Sequence, residues 1–137
     1  MKKKIVKMTA ATLVGGLAMW IIAGLWHNLI LPTVNTKIKA HHDGIIIMLI
    51  AYFMLALLIA YVYSHMDFSD NTIVKGLKTG IIIGIIWVLP HGLTMAGAHN
   101  TSIVYEFKNA LYHIFEQGVG GIIIALVMEF KNFNTDS

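Results

Sequence analysis

Residues 103–130 read IVYEFKNALYHIFEQGVGGIIIALVMEF, a stretch of membrane-crossing length that nevertheless carries Glu106, Asn109, His113, Glu116 and Gln117. At about 100° per residue these five fall on one side of a helix, and Gly120 continues the row. An ionisable group inside hydrocarbon costs at least ~2.5 kcal/mol unless it faces protein or water. That side cannot face lipid, so the chain has to supply other helices to cover it.

It has the segments to do so. Four stretches, at roughly 8–31, 44–64, 72–98 and 103–130, are apolar enough and long enough to cross a bilayer, which takes about 20 residues each. The chain has 137 residues, 57% hydrophobic and only 12% charged, with a mean hydropathy of +0.72. Such a composition is too apolar for an ordinary soluble domain, and the length leaves no room for a second one. The expected fold is therefore a single all-α domain, a polytopic four-transmembrane-helix bundle in contact with the lipid bilayer. Absence of cysteine excludes disulfides, thiolate metal sites and cysteine nucleophiles.

The start, MKKKIVK before a long apolar run, has the look of a signal peptide. The run is long, has no clear A-x-A site and is followed by three more spans, so it is expected to stay as a signal anchor. All the basic residues are lysines. With the amino terminus in the cytoplasm, Lys2, Lys3, Lys4, Lys7, Lys75, Lys78 and Lys131 lie inside, against Lys37, Lys39 and Lys108 outside. That bias, with an even number of spans, places both termini in the cytoplasm. Clustered near the amino terminus, the lysines read as membrane anchors, and no stretch resembles a nucleic-acid-binding surface.

Span one carries Thr9, Thr12, Gly16, Trp20, Ala23, Gly24 and His27 on one face, with Asn28 at its edge. Span two is plain Ile, Leu, Ala and Met with a few tyrosines, and is expected to be the most lipid-exposed. Asp70 or Asn71 is placed to cap span three. There, Gly76, Gly80 and Gly84 at steps of four form a small-residue ridge for close helix packing. Following that face upward gives Trp87, His91 and Thr94, and Pro90 is expected to kink the helix. The short link 99–102 makes spans three and four antiparallel neighbours. Gly16 and His27 recur as Gly80 and His91 at equal spacing, a hint of two related hairpins.

With this orientation, His27, His91 and His113 are expected at similar depth in the outer leaflet, with Glu116 and Gln117 a turn deeper. Three chemistries fit such a set. His91, His113 and Glu116 are candidate ligands of a divalent metal. The same groups, with His27, are candidate members of a proton relay. Two of the histidines could instead hold haem b, or line a quinone site in a redox-linked subunit, although few cations are at hand for haem propionates. Asn28, Asn109 and Gln117 would then support the ligands by hydrogen bonding. Against all three stands a plainer reading, in which the polar stripe only glues helices together. Phosphate loops, G-x-S-x-G elbows, C-x-x-C-H and H-E-x-x-H are all missing, and no intramembrane nucleophile or aspartate pair is evident. Nothing thus points to an enzyme, and the expectation is a binding or transport module, working as a homo-oligomer or as a subunit of a membrane complex.

The pattern W-H-N-x-x-L-P from Trp26 ends span one, W-V-L-P-H-G from Trp87 lies in span three and N-A-L-Y-H-x-x-E-Q-G-x-G-G from Asn109 in span four, and the similarity they mark covers nearly the whole length. With the four-span layout, the chain resembles small bacterial inner-membrane proteins grouped as a domain of unknown function. The resemblance implies a bacterial four-helix inner-membrane protein and adds nothing about chemistry.

Overall fold

The computed structural model describes residues 2–27, 42–67 and 69–130. They form four helices: α1 (Lys2–Leu25), α2 (His42–His65), α3 (Thr72–His99) and α4 (Ile103–Glu129). Each contains a segment long and apolar enough to cross a membrane. The helices overrun the apolar stretches at several ends because hydropathy marks only the part that needs hydrocarbon. At the start of α1 the lysine-rich turns are themselves helical. Asn28 and the loop carrying Lys37, Lys39 and His41 lie outside the described residues.

Local chemistry sets several of the boundaries. Asn71 is the residue that caps α3, its side-chain oxygen accepting from the Val74 backbone N–H at 3.0 Å. Its neighbour Asp70 instead pairs with Lys78 at 2.6 Å. α3 runs helical through Pro90, and the Thr94 hydroxyl donates to the Pro90 carbonyl at 2.8 Å. Asn100 closes α3 in the left-handed conformation (φ 53°), which asparagine tolerates better than most residues. This sharp stop lets α4 turn back at once along α3.

Packing centres on α4, which touches all three other helices and is the most buried of the four. Its closest partner is α3, and the reason is glycine. A Cβ on Gly80 would run into the backbone of Gln117 and Gly118, and one on Gly76 into Gly121 and Ala125. Gly84 lies against Ile114 in the same way. The two helices therefore meet backbone to backbone, antiparallel, along the ridge. α1 crosses α4 in the opposite sense, with Gly15 against Ile124 and Met19 against Gly120, and meets α2 where Gly16 faces Phe53. α2 is the least buried helix, and its outer face carries Ile46, Ile47, Ile50 and Met54.

At the lysine-rich end, three helices are tied together by side chains. Tyr63 of α2 is almost fully buried and donates its hydroxyl to Glu129 of α4 at 3.3 Å. The ammonium of Lys75 from α3 lies 4.5 Å from the centre of the same ring, a cation–π contact.

Candidate functional site

The polar row of α4 faces the bundle. Glu106, Glu116 and Gln117 are buried, with Glu116 at 0% and Gln117 at 1% exposure, and Asn109 and His113 are half-buried. Glu106 is satisfied near the helix start by the Thr101 hydroxyl at 2.8 Å. Glu116 sits far deeper, thirteen residues and about 20 Å along the axis from the start of α4 at Ile103.

One helical turn separates His113 from Glu116, so the two side chains share a face and meet. His113 Nδ1 lies 2.8 Å from Glu116 Oε2. The other carboxylate oxygen, Oε1, is buried and has no hydrogen-bond partner among the described residues. His27, at the end of α1, brings its ring centre to 6.2 Å from that of His113 and presents an edge to Tyr112 at 5.9 Å. From α2, Tyr52 lies close enough to Glu116 to feel its charge. Side chains from three helices thus converge on one carboxylate.

Regular winding gives way where α1 reaches this site, with π-type turns at Trp26 and His27. There the Trp26 indole stacks on Tyr112, 4.3 Å between centroids and 8° from parallel.

His91 does not join the group. The buried stripe of α3 keeps steps of four from Gly76 through Gly80 and Gly84 to Val88 and Gly92. Trp87, His91 and Thr94 therefore lie on the adjoining exposed face, where His91 stacks on Trp87 at 5.3 Å. Its depth also differs from the expectation. Gly92 faces Glu106, which leaves His91 roughly 9 Å nearer the end of the bundle than His113. Gln117 points to α3, close to Gly84, and Asn109 lies toward the start of α4; among the described residues neither has a partner for its side-chain oxygen. Among the described residues no three His, Cys, Asp or Glu side chains are grouped as metal ligands.

No protein-family model, curated protein or solved structure matches this chain. Function therefore has to be argued from the site itself.

Reasoning from sequence overlooked Tyr52, Tyr112 and Trp26 as neighbours of the site. For Tyr112 the signal was there, because it lies one turn before Glu116 on the same side of α4. Tyr52 offered a weaker clue: a hydroxyl near the middle of an otherwise featureless span needs a polar partner.

Proposed function

We propose that this multi-pass membrane protein is a proton-binding or proton-transport module centred on His113 and Glu116, with His27 on the approach. One observation carries the reading: Glu116 has no exposed surface, lies within a candidate membrane span, and shares a hydrogen bond with a titratable imidazole at 2.8 Å. In such surroundings a carboxylate cannot stay charged without a neutralising neighbour. Moving one proton between Glu116 and His113 interconverts an ion pair and a neutral pair. Adding one proton leaves a net positive site, and removing one a net negative site. An imidazole–carboxylate pair has the groups to accept and release protons. The divalent-metal alternative draws on His91, which the fold keeps on the outer face of α3.

His27 and Tyr112 connect the pair to the end of the bundle where α1 stops and α4 starts. The lysine bias makes that end the outer one, periplasmic if the family resemblance to bacterial inner-membrane proteins holds. So small a bundle can hardly enclose a path by itself, and we read it as a homo-oligomer or a subunit of a larger membrane complex.

The test is proton flux in liposomes containing the purified full chain and a pH-reporting dye. Wild type should collapse an imposed pH gradient, Glu116→Gln and His113→Ala should abolish the flux while keeping helical content, and His91→Ala should retain it. Flux that survives in folded Glu116→Gln protein defeats the proposal. No flux from any form leaves the pair a packing device.

A further inference from the structure

A groove of about 470 Å³ opens on the outside of α4, beside the His113–Glu116 pair and sharing Tyr112 with its approach. Its size falls within the range of small-molecule sites. Trp26 and Tyr112 form one end as a stacked pair, and Leu111 and Phe115 continue the wall with their side chains largely exposed. Lys108 stands at the lip, without an ion-pair partner among the described residues.

The groove's surface is almost wholly apolar, and its lining follows α4 from Lys108 down to Phe115. Lys108 is five residues into α4, roughly 7 Å from its start, where a lysine reaches the headgroup layer by extending its stem. Phe115 is two turns deeper, at acyl-chain level. Trp26 Nε1, Asn109 Oδ1 and the hydroxyl of Tyr112 are buried behind this wall, without a partner among the described residues, and do not open onto the groove.

We infer that this groove is a binding site for an anionic phospholipid. The phosphate sits at Lys108, and an acyl chain lies along Leu111 and Phe115. Charge selects the lipid. An unpaired lysine beside apolar walls favours an anionic headgroup over a zwitterionic one, whereas a neutral ring compound would gain nothing from it. This site stands on α4's outward face and does not depend on Glu116 carrying protons.

Fluorescence quenching tests it. In the full chain carrying Trp20→Phe and Trp87→Phe, Trp26 is the sole tryptophan and reports on the groove. Vesicles contain phosphatidylglycerol or phosphatidylcholine with brominated acyl chains, which quench on contact. Brominated phosphatidylglycerol should be the stronger quencher by about fivefold in effective mole fraction, the factor that ~1 kcal/mol per lysine at an anionic surface gives. Lys108→Gln should remove that preference. A chain with only Trp87 (Trp20→Phe, Trp26→Phe) should show none, since Trp87 faces outward on α3. Equal quenching of Trp26 by both lipids overturns the assignment, as does a preference that survives Lys108→Gln or is matched at Trp87. Displacement of both brominated lipids by a stoichiometric short-chain quinone also overturns it.

Discussion

The indole of Trp26 lies flat against the phenol ring of Tyr112, and this one contact fastens the end of α1 to α4 beside the His27–His113 approach. An aromatic pair of this kind contributes about 0.5–1.5 kcal/mol beyond the area it buries. In a double-mutant cycle, Trp26→Ala and Tyr112→Ala should couple by about that amount. Tyr112→Phe keeps the stack and deletes an unpartnered hydroxyl, so it should leave stability unchanged or slightly raised. Strict additivity of the two alanine variants would show that the rings touch without mutual stabilisation.

Glycine at position 80 has no tolerated neighbour in size. Gly80→Ala places a methyl group against the Gln117 carbonyl, and α3 must move away from α4 to admit it. A loss of about 1–3 kcal/mol in an unfolding titration is expected, as for other overpacked contacts. Gly97, with nothing within 4 Å of the same methyl position, should accept alanine at little cost. If both variants unfold alike, the ridge does not hold the hairpin together.

Removing His113 alone leaves the Glu116 carboxyl buried without its partner, at a cost of about 1–3 kcal/mol. Glu116→Leu in the His113→Ala background should recover much of that loss, because an apolar side chain needs no partner there. The measurement is unfolding of the single and double variants side by side. Additive losses in the double variant would argue that the pair does not act as a unit.

Tyr63→Phe deletes the hydroxyl that donates to Glu129 but keeps the ring under Lys75. A destabilisation of about 0.5–1.5 kcal/mol is expected. Tyr63→Leu, which also removes the ring, should cost more. Equal losses would mean that the cation contributes nothing at this site.

Because the chain contains no cysteine, single cysteines report topology without background. Ser69 lies at the lysine-rich end and Ser102 at the other. In intact cells, Ser102→Cys should react with a membrane-impermeant maleimide and Ser69→Cys should not. The opposite pattern would invert the orientation taken from the lysines and place the approach to Glu116 inside.

The number of helices, their antiparallel order and the central place of α4 were all legible in the chain. Apolar runs of bilayer length mark spans directly, and a polar row that cannot face lipid identifies the helix others must surround. What the row would meet was less readable. His113 and Glu116 were linked because they share one helix, and local spacing is enough for that. His91 was expected in the same chamber because the glycine ridge was extended to Trp87, a step of three. The packed stripe instead keeps to steps of four and reaches Val88 and Gly92, which turns the imidazole outward. Tyr52 was hidden for a related reason: which residue of a uniformly apolar span faces inward depends on the rotation of that helix, and periodicity is silent when every face is greasy.

At Gly76 and Gly80 main chain rests on main chain, with little side chain between to absorb a shift. The second hairpin is in effect a single rigid plate. On the proposed proton-carrying role, alternating exposure of Glu116 to the two sides of the membrane would fall to α1 and α2, tilting against a fixed half like a door against its frame.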